Sequence, residues 1–500
     1  MTPPGHRVAV IGGGLAGITA AIALAEAGAA VTLLEARPRL GGATCSFTRD
    51  GLVVDTGQHI FLGCCTAYRG LLDRLGMTAH APLQDRFDVT VLAPAGPDGQ
   101  VRRGRLRRTA LPGPVHMLPA LARYPFLSLA ERSGLSRSAL AMRRVDPADP
   151  VVDEQRFGDW LAAHGQGDRV RRALWDLFTV SALNIAGDDA SLALAATVVK
   201  TGLLGKNNAA DIGVPALPLG ELHGDAAATL LAKLGARVLI GAKVSAIDVD
   251  PKTPENPTAL ADPDAVSGDP SRARFRLRLA ADGTSPAEMA ADAVVLAVPH
   301  QPAARLMPPG ALPDGAVAGW AGLGASPIVN VHVIYDRPVT DLPFAAAVDS
   351  PVQWVFDRTR ISGLGRSSAT KRQYLAISLS AADEYVDVPA ASLADQFVPA
   401  LAGLFPAARE ARVVEFFVTR ERRATFRQAP GTGRLRPRAA TGLPGLVLAG
   451  AWTATGWPDT MEGAVRSGLA AAIELRNTVL VPRRASTQPT GMTSTIGVRQ

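Results

Sequence analysis

Residues 7–35 constrain this chain more than any other stretch. Arg7-Val8-Ala9-Val10-Ile11 reads as a buried strand, Gly12-Gly13-Gly14 as a turn, Leu15 to Ala27 as a helix stopped by Gly28, and Ala30–Glu35 as a second strand. Strand, turn, helix and strand in that order form a parallel βαβ unit. Gly12-x-Gly14-x-x-Gly17 sits on its turn. Gly12 allows the tight bend, Gly14 lets backbone approach a pyrophosphate, and Gly17 lets the helix pack on the sheet. The free amides at the helix start, including those of Leu15 and Ala16, attract anions. Glu35 ends the second strand about 20 residues on, where a carboxylate accepts from ribose hydroxyls and repels a 2′-phosphate. A dinucleotide is expected here, and NADP is not.

Five hundred residues exceed one hydrophobic core, so more than one domain is expected. Leu446-Val447-Leu448-Ala449 repeats the buried-strand pattern, followed by a glycine turn and a helix from about Thr460 to Arg476. A further strand pair is expected at Val238–Ile247 and Ala293–Val298. The nucleotide domain is therefore expected in three pieces, 1–85, 215–300 and 411–481. Insertions at 86–214, mostly helical in pattern, and 301–410, with strand-like runs, would form a second domain over it. Residues 250–274 read as a flexible loop and 482–500 as a disordered tail.

Composition narrows the partners. The formal net charge of +7 suits nucleic acid or anionic lipid, but no nucleic-acid module or aromatic–basic sheet is visible. Cys45, Cys64 and Cys65 have no metal or redox spacing, so no metal site is expected. Neither a cleavable leader nor an apolar run of about 20 residues is expected, which leaves a cytoplasmic protein, in solution or on a membrane surface.

Beyond the fingerprint, Glu35-Ala36-Arg37-Pro38-Arg39-Leu40-Gly41-Gly42 resembles the signature of the flavin amine oxidase and phytoene desaturase superfamily. Leu448-Ala449-Gly450-Ala451-Trp452 and Gly456-Trp457-Pro458-Asp459-Thr460-Met461-Glu462-Gly463 are similar to its C-terminal flavin motif. The resemblance implies FAD as cofactor. It also implies an α/β fold: a Rossmann-like FAD-binding domain of the glutathione-reductase-like flavoproteins, carrying an inserted α+β substrate domain. It places Ala36, Arg37, Arg39, Gly41 and Gly42 along the pyrophosphate and ribityl chain. Val244 would lie at the adenine, Gly57, Gln58 and His59 beside the ring, and Gly450, Ala451 and the helix start at Thr460, Met461 and Glu462 under the flavin. Two departures stand out. Ala43 replaces an arginine found in most amine oxidases, and Ala451 replaces the motif's aspartate, whose contact is not carried over.

The segment Val54-Asp55-Thr56-Gly57-Gln58-His59-Ile60-Phe61-Leu62 narrows the resemblance to the squalene-associated, hydroxysqualene dehydroxylase branch. Trp175-Asp176-Leu177-Phe178 and Gln353-Trp354-Val355-Phe356-Asp357-Arg358 agree with it. That branch reductively replaces the hydroxyl of hydroxysqualene by hydrogen, on the way to hopanoids and related triterpenes. Such chemistry needs a general acid, and His59 is the first candidate. Asp357 is the second, against an ion pair with Arg358 or Arg360, and Asp459 is either a reactant or a helix cap-region acid. A carotenoid or phytoene-type desaturase, another oxidoreductase of the superfamily, and a non-catalytic prenyl-lipid carrier of the same fold are the alternatives. An isoprenoid substrate implies contact with the inner face of the cytoplasmic membrane and a neighbouring squalene-pathway synthase. Arg102, Arg103, Arg105, Arg107 and Arg108, followed by Leu111, Val115, Met117, Leu118, Leu121, Tyr124, Phe126 and Leu127, fit an interfacial segment.

Overall fold

In the computed structural model, which describes residues 6–96, 100–250, 274–280, 287–364 and 371–480, the glycine turn ends the central strand of a five-stranded sheet. The strands run in the order Leu446–Leu448, Ala293–Leu296, Arg7–Ile11, Ala30–Glu35, Arg237–Ile240. All four pairings are parallel. The chain goes from the central strand first to one side and later to the other, so the turn occupies the switch point where open α/β sheets bind ligands.

Val8, Ala9, Val10 and Ile11 are all buried, as expected of a strand covered on both faces. The first helix, Leu15–Glu26, buries Leu15 to Ile22 and Leu24 because the sheet and the last helix, Met461–Leu475, enclose it. Small residues let those helices approach: a β-carbon at Gly468 would lie 2.3 Å from the Ala16 carbonyl oxygen. Gly28, at φ +89°, ends the helix as the sequence suggests.

The run Val238–Ile247 is not one strand. Gly241, at φ +73°, breaks it, so Arg237–Ile240 extends the parallel sheet while Val244–Val249 starts a separate antiparallel sheet with Phe275–Leu279 and Glu288–Ala291.

A seven-stranded sheet forms the roof, in the order Val413–Thr425, Ser326–Tyr335, Gln373–Leu379, Trp354–Asp357, Phe344–Ala347, Asp88–Ala95, Val101–Arg107. Its outer face, including Val329, Val331, Val333, Leu375 and Ile377, packs under the helix Ala390–Leu404 through Leu393, Phe397 and Leu401. Two expected boundaries move. The first insertion is not mostly helical at its start, because Asp88–Ala95 and Val101–Arg107 pair as a hairpin and join the roof. The strand Val413–Thr425, assigned by sequence to the nucleotide domain, pairs along Ser326–Tyr335 and belongs to the roof. Helices between Leu118 and Leu203 complete the first insertion. Of the expected flexible loop, residues 251–273 lie outside the described residues, as do the tail 482–500 and residue 481. No described helix is long and apolar enough to cross a membrane.

Candidate active site

The glycine turn is built as an anion cradle. The first helix starts at Gly14 with no side-chain cap and no acidic residue in its first turn. Its positive end is therefore open to a ligand. Gly12, at φ +108°, and Gly17 leave no room for a side chain, since a β-carbon at Gly17 would lie 1.8 Å from the Gly12 carbonyl oxygen. Gly14 differs. Its φ of −77° suits any residue, and the only described atom near its β-position is the Gly42 α-carbon at 3.8 Å. Space is kept there for something other than protein. Gly41 closes the cradle, donating from its amide to the Gly13 carbonyl at 2.8 Å.

Glu35 is buried and accepts from the amides of Gly13, 2.6 Å, and Arg37, 2.7 Å, one on each oxygen. Each oxygen keeps a second lone pair for ribose hydroxyls. Arg37 and Arg39 are exposed, and Arg39 reaches Cys45 Sγ at 3.2 Å. Arg37 contributes its backbone, accepting from the Gly241 amide at 3.1 Å. Ala36 is exposed beside it, and Val244 is buried at the head of the antiparallel sheet.

Asp55 and Arg358 hold the segment Gly57–Leu62 in place. They form a buried ion pair, and Asp55 also accepts from the Ser46 hydroxyl, 2.6 Å, and the Leu219 amide, 3.0 Å. Removing one partner of such a pair typically costs about 3–5 kcal/mol. Three and four residues on from Asp55, Gln58 Oε1 and His59 Nδ1 are enclosed without a well-formed hydrogen bond, although the Gly57 backbone lies close enough to act on the His59 ring. Burial pushes the His59 imidazole below its ordinary value; the Gly57 backbone and Asp55 oppose this, and Arg358 adds to it. His223 lies close enough to feel His59 and is pushed down to about 4, chiefly by burial. It bonds to the Tyr68 hydroxyl at 2.8 Å.

Below this segment, the loop Gly450–Trp457 is tied by one buried cation. Arg436 donates to the carbonyls of Ala451, Trp452, Thr453 and Trp457, and burial lowers it to about 10. Gly450, at φ +140°, donates from its amide to Ser467 at 2.8 Å. Thr460 caps the last helix by accepting from the Gly463 amide, and Met461 opens it. The carboxylate of Glu462 is not presented to a ligand. It accepts from the amides of Ala67, 3.2 Å, and Tyr68, 2.8 Å, and from Arg466, capping the neighbouring helix Thr66–Arg74. Only backbone of Glu462 remains for a cofactor.

The second acid candidate is differently employed. Asp357 accepts from the Thr359 amide, 2.8 Å, and from Gln373 Nε2, 2.7 Å, so both oxygens serve the end of its strand. The charges acting on His59 are Asp55 and Arg358 instead. Arg358 pairs with Asp55 and not with Asp357. Asp459 is not the cap, a role Thr460 takes. It accepts from the Phe426 amide at 2.9 Å, and burial raises it to about 6.

Arg108 leaves the cationic patch: it is buried in an ion pair with Asp211, at 2.6 Å. Arg105 and Arg107 both reach Asp88, and Arg102 reaches Asp349.

Sequence reasoning missed Asn330, His332, Tyr374, Tyr68, His223 and Arg436. A signal existed for the first two, as Ile328-Val329-Asn330-Val331-His332-Val333-Ile334 places polar residues two apart in a β-branched run. The others become neighbours only through long-range pairing.

The uncapped helix, the empty β-position at Gly14, the free lone pairs of Glu35 and the fixed loop at Gly450 together fit FAD. Comparison with known proteins agrees. The model of the flavin-containing amine oxidoreductase family matches residues 15–475. A hydroxysqualene dehydroxylase of Rhodopseudomonas palustris is 30% identical, over 93% of this chain and 97% of its own. A 15-cis-phytoene desaturase of Synechococcus elongatus is 26% identical, over 97% and 98%. Putrescine oxidase bound to putrescine is similar in fold, with a TM-score of 0.66 at 20% identity, covering 94% of this chain and 99% of that one.

Proposed function

The chain belongs to the flavin-containing amine oxidoreductase family and is an FAD-dependent oxidoreductase; from that premise we propose that it converts hydroxysqualene reductively to squalene, for hopanoid or related triterpene synthesis. The observation that supports this reading is an FAD cradle whose following residues, Ala43 and Cys45, bond to Thr56 at the start of the segment that carries the partly exposed His59. The near full-length likeness to a hydroxysqualene dehydroxylase supports it.

When bound, reduced FAD supplies the hydride that replaces the hydroxyl. The protein contributes the rest. His59 is the proton donor to the leaving oxygen, which departs as water, and the ion pair of Asp55 and Arg358 fixes the segment that carries it. The roof contributes Phe344, Trp354 and Phe356, buried on the face opposite its outer helix. These walls keep bulk water from an allylic cation. The desaturase alternative uses the same cofactor and an isoprenoid without a hydroxyl. Supplying reduced protein with hydroxysqualene, and oxidised protein with phytoene, separates the two; squalene from the first and no product from the second is expected.

An apolar cavity of about 340 Å³, lined by Leu106, Met117, Leu121, Leu135, Trp175 and Phe178 among others, offers a place for part of a long isoprenoid. The helical turn Val199–Leu203 lines it with Val199 and Leu203, and a β-carbon at Gly202 would lie 3.5 Å from Leu62 in the flavin-side segment. Leu118 and Leu129 line the same cavity yet are 43% and 79% exposed. They form an apolar rim, with exposed Leu111 and Val115 nearby in sequence. Moving a chain of roughly 30 carbons into water costs on the order of 20 kcal/mol at about 0.8 kcal/mol per methylene, which favours entry from a bilayer.

The rim is the anchor to the inner face of the cytoplasmic membrane, where a squalene-pathway synthase would release the substrate. Because carboxylates already pair with Arg102, Arg105 and Arg107, apolar burial should outweigh charge. Replacing Leu118 and Leu129 by Ser should reduce co-sedimentation with anionic vesicles about tenfold or more, and replacing Arg103, Arg105 and Arg107 by Gln should reduce it less. Both variants should keep their flavin.

A further inference from the structure

A glycine inside a helix weakens it, because it frees the unfolded chain, so a buried helical glycine calls for a reason. In the last helix the reason is contact. β-Carbons at Gly463 and Gly468 would lie 2.4 Å from the Pro458 carbonyl oxygen and 2.3 Å from the Ala16 carbonyl oxygen, so neighbouring backbone takes the place of a side chain. Gly202 differs. It is buried in the helical turn Val199–Leu203, and its φ is not positive. Outside its own helix, the only described atom within 4 Å of its β-position is Leu62 Cδ1, at 3.5 Å. That is an ordinary contact with the end of a partly buried side chain. Neither packing nor backbone conformation requires glycine here.

On one side of this contact is the apolar cavity, whose mouth is the exposed rim of Leu118 and Leu129. The π-helical turns Arg171–Trp175 and Val199–Leu203 give its wall Leu174, Trp175, Val199 and Leu203. Trp175 is a fixed part of that wall, because its indole donates to Gln166 Oε1 at 3.1 Å. On the other side is the short strand Phe61–Leu62, which follows His59 and is held by pairing with Ile212–Gly213. Its alternation sends Phe61 onto Tyr68, in the core of the nucleotide domain. Leu62, with Ile60, packs instead on the apolar cluster that contains Trp175, Val199 and the roof residues Trp354 and Phe356. Continuous apolar packing thus runs from the rim to the flavin-side segment, and Leu62 stands across it at Gly202.

We propose that an isoprenoid arm passes from the rim to the flavin side through the Leu62–Gly202 contact. Leu62 is the movable side, and the missing side chain at 202 sets the width of the chain admitted. Backbone pairing holds the strand of Leu62 but leaves its partly exposed side chain to turn between staggered rotamers. Opposite it, Gly202 presents backbone alone. A methyl-branched prenyl chain is wider than a straight acyl chain, so any side chain at 202 obstructs it first. This assignment rests on the proposed isoprenoid chemistry and adds the residues that control access to it.

The test uses FAD-loaded protein and two acids of equal main-chain length, geranylgeranoic and palmitic, each brominated at its far end. The carboxylate keeps the head at the wet rim, and bromine quenches flavin emission only where the chain end reaches it. Equilibrium dialysis counts the acid bound. Both acids should quench the wild-type flavin. In Gly202→Phe, quenching should fall about tenfold or more while acid bound stays within about twofold and FAD content is unchanged. Conversion of hydroxysqualene should fall with it. Gly202→Ala, which suits a helix better than glycine, serves should the first variant not fold; it should reduce quenching by the branched acid more than by the straight one. Leu62→Ala should leave quenching at the wild-type level or above. An unquenched wild-type flavin, or wild-type quenching and turnover in the folded Gly202 variants, overturns the passage even if squalene is made. Quenching lost in those variants, with no squalene from wild type, upholds the passage and overturns the proposed dehydroxylation alone.

Discussion

Gly14→Val should give a folded protein without flavin. The expectation rests on the contrast among the glycines of the turn. Gly12 and Gly17 are fixed by protein atoms: β-carbons there would meet the Ala297 carbonyl oxygen at 2.4 Å and the Gly12 carbonyl oxygen at 1.8 Å. Their substitution disrupts the βαβ unit itself. At Gly14 the backbone is already in a region open to every L-residue, and the nearest atom to an added β-carbon is 3.8 Å away. The protein alone has little objection to a side chain; a bound pyrophosphate does. Wild-type circular dichroism with FAD occupancy below about one hundredth of wild type is expected, as a branched side chain displaces the phosphates from the helix end. Full occupancy in the variant would show that the phosphates lie elsewhere.

His59→Ala should slow conversion of hydroxysqualene by roughly 10²–10⁴-fold, the range lost with a general acid, while FAD stays bound. The pH dependence has a definite sign. Burial lowers the imidazole below its ordinary value, so the acid form accumulates only below that lowered value. The chemical step should therefore accelerate as pH falls through it, and this acidic limb should vanish in the variant. His223, lowered to about 4, is retained in the variant, so a limb that it caused would persist there. A variant that instead loses flavin would make His59 a cofactor-holding residue. Unchanged rates and pH profile would move the acid role elsewhere, with the buried carboxyl of Asp459, raised to about 6, the next group to test.

The parts legible in the sequence are those whose chemistry is local. Gly12, Gly14, Gly17 and Glu35 declared the cradle because turn, helix start and strand end lie within one βαβ unit. The helix end at Gly28 was readable from its glycine, whereas the cap at Thr460 was misread as Asp459. What failed was whatever depended on distant pairing. Arg102 to Arg108 resembled a basic loop, but roof pairing makes most of it a strand and buries Arg108 against Asp211, about 100 residues away. Asp357 looked reactive beside Arg358, yet Arg358 crosses to Asp55, leaving Asp357 to finish its strand. Glu462 sits in a flavin-binding motif, but its side chain caps a helix nearly 400 residues away. Asn330 could have been noticed from alternation, whereas its lone acceptor is visible only once Thr56 takes the other half of the amide.

A single anaerobic turnover tests reductive dehydroxylation most directly. Protein whose flavin has been chemically reduced is mixed with one equivalent of hydroxysqualene, and both the product and the flavin spectrum are followed. One squalene should form for each flavin that returns to its oxidised, yellow form, with no product from protein left oxidised. Unchanged hydroxysqualene beside a flavin that stays reduced, or a desaturated product formed only by oxidised protein, would contradict it.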